Sequence, residues 1–332
     1  MTRKYVTFSK NIFIPVTNVC RNACDYCVFR ARSRNDAYVT TVSDFVTVVL
    51  NKGAATEALF SGGENPEDAA LSSFFNDRVT REGFSSLVAY TKHLCELAIQ
   101  HGLLPHCNLG VLSREELLEL KDVNASMGLM LETTAELEAH RNSPGKDSAL
   151  RLQMIEEAGK LKIPFTTGIL IGIGESNEDR IRSLEAIASV HKQYGHIQEV
   201  IIQPFLPKPR TAMWETPSPS FEVIKETVRA ARSLLPDDIA IQVPPNLTSP
   251  KELIELGASD LGGISERTID YINPEAPWPR EEELRHKIAP FELRERLPIY
   301  PQYIQKGWYS DRLKPLIERY ADEAGFRVQK GS

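Results

Sequence analysis

Short, continuously apolar runs recur along the chain, each followed by a stretch with helical spacing. The apolar runs are Ile12 to Asn18, Glu57 to Gly63, Leu104 to Gly110, Ala125 to Glu132, Phe165 to Glu175, Glu199 to Phe205 and Ile239 to Pro245. A short SDLGGI run, Ser259 to Ile264, supplies an eighth. Runs of this kind, without polar alternation, suit parallel strands buried on both faces. The helical stretches carry start signals. Ser113 with Glu116, and Ser176 with Asp179, have capping-box spacing. Ser249-Pro250 offers a cap and an N1 proline, and Gly195 closes the helix that Ser176 opens. About eight strand–helix repeats predict a parallel sheet with right-handed crossovers. In 332 residues this predicts an α/β fold, a (β/α)8 barrel of the TIM type. A doubly wound open sheet is the runner-up, but no G-x-G-x-x-G fingerprint follows the first strand. With no evident linker, residues 1–332 read as one barrel domain with a C-terminal extension from about residue 265.

Composition narrows the class. Hydrophobic residues make up 42% and charged residues 25%, as in a soluble globular protein. The net charge of −6 speaks against a general nucleic-acid binder. No apolar run approaches membrane-span length, and MTRKYVTFSK lacks a signal-peptide core. Five cysteines, three of them clustered, suit a reducing cytoplasm better than a disulfide scaffold.

The clustered cysteines carry the chemistry. Cys20, Cys24 and Cys27 lie in TNVCRNACDYCVFR with the spacing C-x3-C-x2-C and no fourth cysteine at ligand distance. Thiolates select iron–sulfur clusters, zinc or cuprous ions. A cubane cluster held by cysteines alone takes four, as does a closed zinc site. Three thiols on one polar loop therefore suggest a metal centre with an open position. Zinc with a distant histidine as fourth ligand is the competing reading. Cys95, in a helical run, reads as core, and Cys107 as core or pocket wall. The cysteine loop follows the first strand, so a barrel would place it at the mouth formed by the C-terminal strand ends. Ser61, Gly62, Gly63, Glu64, His106, Asn108, Glu132, Gly174, Glu175, Gln203, Asn246 and Asp260 are expected to converge there.

With Tyr26, the cysteines spell C-x3-C-x-aromatic-C, which resembles the signature of the radical S-adenosylmethionine (SAM) enzymes. The resemblance implies a 4Fe-4S cluster on the three cysteines, with SAM chelating the fourth iron. It also implies reductive cleavage of SAM to a 5′-deoxyadenosyl radical that abstracts hydrogen. Gly62-Gly63-Glu64 resembles the motif that receives the SAM ammonium, and Glu132 resembles a ribose-binding residue. Arg151 is similar in placement to an arginine that pairs with the SAM carboxylate. Gly168 to Gly172, with Ile171, resembles the G-x-I-x-G strand along the adenine, and Tyr26 would sit beside that ring. Longer segments, including SPGKDSALRLQMIEEAGKLKIPFTTGILIGIGE and DLGGISERTIDYINPEAPWP, resemble the CofG-type half of the FO synthases.

That narrower resemblance implies a carbon–nitrogen lyase and cyclase in deazaflavin coenzyme biosynthesis. Its substrate would be 5-amino-5-(4-hydroxybenzyl)-6-(D-ribitylimino)-5,6-dihydrouracil, with ammonia released. It implies a CofH-type functional partner and an external electron donor, and no nucleic acid or membrane. Asn108, Gln203 and Asn246 are candidates for binding the uracil or ribityl group. His106 and Asp260 are candidate proton acceptors. The loop PKPRTAMWETPSP is a candidate lid. Another radical SAM enzyme, CofH-like or biotin-synthase-like, and a non-enzymatic cysteine metalloprotein are the alternatives.

Overall fold

A computed structural model describes residues 5–328; the first four residues of the N-terminal run read above, and residues 329–332, lie outside it. Eight parallel strands close a barrel: β1 (Tyr5–Thr17), β2 (Glu57–Gly62), β3 (Leu104–Asn108), β4 (Ser126–Gly128), β5 (Phe165–Ile171), β6 (Ile197–Pro204), β7 (Ala240–Gln242) and β8 (Asp260–Ile264). β1 pairs with both β2 and β8, which closes the sheet and excludes the open alternative. Between strands run α1 (Val42–Leu50), α2 (Ser72–Arg81), α3 (Leu87–Gln100), α4 (Arg114–Lys121), α5 (Ser148–Lys160), α6 (Asn177–Tyr194), α7 (Phe221–Leu234) and α8 (Pro250–Glu255). Both predicted capping boxes form, at Ser113 and Ser176, and Gly195 ends α6 in the left-handed region. Ser249 makes no side-chain cap, so Pro250 alone marks the start of α8. Every residue of β5 is buried, as expected for a strand covered on both faces. No described helix is long and apolar enough to cross a membrane.

The chain after β8 does what periodicity did not foretell. α9 (Glu281–Ile288) leads into β9 (Glu292–Glu295), a ninth strand that pairs in parallel with Tyr5–Phe8 of β1. The first strand is therefore longer than expected, and its N-terminal half projects beneath the β2 pairing, which begins at Asn11. α10 (Pro301–Gln305) and α11 (Lys314–Tyr320) follow. Leu297, Ile299, Tyr300 and Tyr303 pack with Leu104, Ala125 and Ala240, residues at the N-terminal ends of β3, β4 and β7. The carbonyl of Pro298 accepts hydrogen bonds from Ser126 Oγ (2.8 Å) and Gln198 Nε2 (2.9 Å). The C-terminal segment thus plugs the barrel floor.

Arg296 is the polar pin of that plug. It is 3% exposed and donates from Nε and Nη2 to the two oxygens of Asp260 (2.7 and 2.9 Å). Its Nη2 also lies 3.3 Å from Glu199 Oε1, and its guanidinium stacks over the Tyr300 ring at 4.2 Å. The placement of Asp260 therefore differs from expectation. Asp260 opens β8 rather than ending it, so it sits at the floor, opposite the mouth where a reactive group belongs. Its oxygens are filled by Arg296, the Thr7 hydroxyl and the Gly262 amide.

Candidate active site at the barrel mouth

The cysteine loop leaves β1 and turns back over the barrel because its backbone is pinned on both sides. Arg21 N–H donates to the Glu64 carbonyl (2.9 Å), Ala23 N–H to Asn142 and Asp25 N–H to Ala139. Gly63 makes that approach possible, since a Cβ there would stand 2.0 Å from the Val19 carbonyl oxygen. Cys20, Cys24 and Cys27 line one cavity of about 240 Å³ together with Tyr26, Glu64, Glu132 and Arg151. Burial pushes the Cys20 thiol up to about 11, against two backbone N–H groups, of Asn22 (3.4 Å) and Glu64 (3.3 Å), directed at its sulfur. Burial also raises the Cys24 thiol, opposed by Lys146 and by the Ser143 hydroxyl at 3.2 Å. N–H and O–H groups aimed at sulfur are what tunes an iron–sulfur cluster. Cys95 and Cys107 lie buried in the core, 3.6 Å from each other, and take no part. Among the described residues, no three histidine, cysteine or acidic side chains converge on a point where one ion would bind. Three thiols on one loop, with N–H and O–H groups directed at two of the sulfurs, are a donor set whose chemistry fits an iron–sulfur cluster.

Two carboxylates flank the thiols, each built into cations. Glu64 accepts from Arg21 Nε (3.0 Å) and Arg151 Nη2 (3.1 Å). Its side chain lies in a slot that requires Gly145, where a Cβ would fall 1.4 Å from Glu64 Oε1. Arg151 is buried rather than solvated, and spends Nε on the Gly145 carbonyl and Nη1 on that of Met130. Glu132 has φ 68°, a left-handed conformation that costs a non-glycine residue about 1–3 kcal/mol. It accepts from the Tyr26 hydroxyl and from Lys146. Burial alone would raise the Glu132 carboxyl, but Lys146, Arg151 and His140 hold it down to about 2. Lys146 and His140 were not read from the sequence. Their only signal is that Lys146 precedes Asp147, which caps α5.

The fifth strand corrects the adenine expectation. Ile171 faces the helices within the main core, whereas Leu170 lines the mouth with Phe205, Ile173 and Tyr26. Gly168 lies against the backbone of Ile201 and lines neither cavity. The proline-rich loop does reach across: Met213 N–H bonds to the Asp25 carbonyl (3.3 Å), and Phe205 and Lys208 line the cavity.

A second cavity of about 180 Å³ fills the barrel lumen and shares Ser61, Asn108, Met130, Gln203, Ile272 and Asn273 with the first. Its walls include Asn246, as well as Glu57, Glu199 and Arg296, which the sequence reading did not single out. His106 lies in mid-strand on that wall. Because the Ser126 hydroxyl donates to Pro298, His106 Nδ1 donates to Ser126 Oγ (2.7 Å) and leaves Nε2 as an acceptor. Burial, reinforced by Arg296, lowers the His106 imidazole to about 3, so it is neutral.

Known proteins agree with this geometry. Residues 14–187 match the Radical SAM superfamily. The chain is 55% identical over 328 residues to the 7,8-didemethyl-8-hydroxy-5-deazariboflavin synthase of Methanococcoides burtonii, covering 98% of each chain. It is 50% identical to the enzyme of that name from Archaeoglobus fulgidus, covering 97% of this chain and 99% of the relative. Among solved structures, the [FeFe]-hydrogenase maturase HydG shares the fold, with TM-score 0.69 and 15% identity over 94% of this chain and 68% of that one. Methylornithine synthase does so at TM-score 0.57 and 17% identity, over 95% and 81%. A cysteine triad at the barrel mouth and near-full-length likeness lead to one conclusion: the chain belongs to the radical SAM superfamily, in the family of 7,8-didemethyl-8-hydroxy-5-deazariboflavin synthases.

Proposed function

We propose that this chain catalyses the closing step of deazaflavin chromophore synthesis, converting a hydroxybenzyl–ribityl–uracil adduct to the tricyclic deazaflavin with release of ammonia. The observation that carries the reading is the shared wall. The thiol-lined mouth opens through Ser61, Asn108 and Gln203 into a lumen that is polar, mostly uncharged and closed at its floor. When bound at the mouth, a 4Fe-4S cluster and SAM supply the one-electron chemistry that removes a hydrogen atom from substrate. Cys20, Cys24 and Cys27 hold the cluster. Tyr26, Glu64, Glu132 and Lys146 provide the polar rim for SAM, and Arg151 fixes Glu64 in place. Gly62 leaves room at that rim. Leu170, Phe205 and Met213 exclude water above the reacting atoms.

Within the lumen, Asn108 and Gln203 are placed to hydrogen-bond the uracil edge. Neutral His106 accepts a hydrogen bond at Nε2 and orients the substrate rather than storing a proton. Glu199 lines the lumen nearer the floor, bonded to Arg296, and burial, opposed by Arg296 and aided by Asp260, raises its carboxyl well above the ordinary range. We further propose that a separate CofH-type protein supplies the adduct and that an external donor supplies electrons.

The test is anaerobic reconstitution with iron and sulfide, followed by addition of SAM, dithionite and the adduct. Deazaflavin absorbance and fluorescence should appear, with 5′-deoxyadenosine formed alongside. Cleavage of SAM without deazaflavin would assign the barrel to a different substrate.

A further inference from the structure

Four of the buried polar side-chain atoms that lack a partner in the protein belong to residues of the lumen wall. Asn11 Oδ1, Asn246 Oδ1, Asn273 Oδ1 and Trp278 Nε1 are all buried without a hydrogen-bond partner in the protein, and all four residues line this one cavity. Asn11 and Asn273 are 3% and 4% exposed. A buried polar group left unpaired is costly, and native folds rarely keep several together without a purpose.

The arrangement is built. Asp270, itself buried, accepts four hydrogen bonds. Oδ1 takes the N–H groups of Ile272 (2.9 Å) and Asn273 (3.0 Å), and Oδ2 takes Asn246 Nδ2 (3.0 Å) and Asn273 Nδ2 (3.1 Å). A second acceptor, the Ala276 carbonyl, also holds Asn246 Nδ2 (3.0 Å). Because every partner is an acceptor, the orientation of both amides is fixed, and each must leave its oxygen free.

We propose that these residues form a polyol subsite, which takes the hydroxyls of a ribityl-type chain. The fixed amide oxygens of Asn246 and Asn273 require donors, the indole N–H of Trp278 requires an acceptor, and the Asn11 amide adds a further polar group; a row of hydroxyl groups serves all of them. An anionic ligand does not fit. Among the described residues, Arg296 is the only ammonium or guanidinium group on the cavity wall, and it is committed to Asp260 and Glu199. A purely apolar ligand would leave all four atoms unpaired. The apolar walls, Phe13, Leu59 and Ile201, leave space for a flat ring attached to the polyol. The subsite rests on the functional reading above, and it assigns the ribityl end of substrate to the β7–β8–β1 side of the lumen. Asp270 is then a positioning residue, acting through Asn246 and Asn273.

Equilibrium fluorescence titration of the reconstituted full chain tests this with two probes: the deazaflavin product and its analogue carrying a methyl group in place of the ribityl chain. The wild type should prefer the ribityl ligand by tenfold or more. Trp278→Phe and Asn273→Leu should each weaken the ribityl ligand about fivefold and leave the methyl analogue unchanged. With the adduct as substrate, the same variants should raise KM and spare kcat. The proposal is overturned if the wild type binds both probes equally, or if the variants weaken both alike or neither. Far-UV circular dichroism and thermal melts confirm that each variant is folded. Deazaflavin formation by the wild type is scored separately: a chain that forms none, yet prefers the ribityl probe, loses the functional reading and keeps the subsite.

Discussion

Replacing Arg296 by Met should destabilise the protein without touching its metal site. The side chain is 3% exposed, and Asp260 beneath it is fully buried. Removing the guanidinium strands the Asp260 carboxylate, with which it makes two hydrogen bonds. Breaking a buried pair by deleting one partner costs about 3–5 kcal/mol. Loss of the stacking over Tyr300 adds up to about 1–2 kcal/mol. With the unfolding entropy scaled to 332 residues, each kcal/mol lowers Tm by roughly 1.5 °C, so a fall of about 6–10 °C is expected. The double variant Arg296→Met with Asp260→Asn removes the stranded charge and should recover a large part of the loss. Urea unfolding followed by circular dichroism measures all three proteins. Iron and sulfide content after reconstitution should match the wild type, because Arg296 lies at the barrel floor and the thiols lie at the mouth. A loss below about 1 kcal/mol, or a double variant no more stable than the single one, would refute the pin-and-plug account.

Each of Cys20→Ala, Cys24→Ala and Cys27→Ala should abolish the 4Fe-4S chromophore, whereas Cys95→Ala and Cys107→Ala should keep full iron content; colorimetric iron and sulfide analysis decides. Gly145→Ala should displace Glu64 from its slot and weaken SAM binding roughly tenfold, read by calorimetry; unchanged affinity would dismiss Glu64 as part of the rim. Acid should destabilise the chain through its buried histidines. Burial holds His106 and His196 near 3, below the ordinary value. A lowered folded-state value favours the neutral form, so this contribution is complete above about pH 6.5 and is lost as pH falls toward 3. Urea midpoints measured from pH 7 to pH 4 should fall, and His196→Gln should flatten the slope.

Much of the site was legible because it depends on local order. A C-x3-C-x-aromatic-C loop directly after a strand fixes both the ligands and, in a parallel barrel, the end of the molecule where they lie. Glu64 and Glu132 were legible for the same reason, each closing an apolar run. Asp260 misled although chain order places it: it stands near the start of SDLGGI, and in a parallel barrel the start of every strand lies at the floor. Leu170 rather than Ile171 reaches the mouth, and the motif records it: the central position of G-x-I-x-G over Gly168 to Gly172 is Leu170, while Ile171 beside it points to the other face of the strand. Residues that act through distant partners left no mark. Arg296 meets Asp260 across 36 positions, and Asp270 organises Asn246 across 24.

By itself the sequence determined the strand–helix order, the thiol triad with its open coordination position, and the resemblance that follows from them. These are properties of spacing, and the parallel barrel converts spacing into position by a simple rule. Only the tertiary structure decided that β9 and Arg296 close the floor, that Lys146 and Arg151 neutralise the carboxylates of the mouth, and that Asn11, Asn246, Asn273 and Trp278 share one cavity. Those outcomes depend on long-range packing and on the burial of charge, where the partner of each group is chosen by the fold and not by its neighbours along the chain.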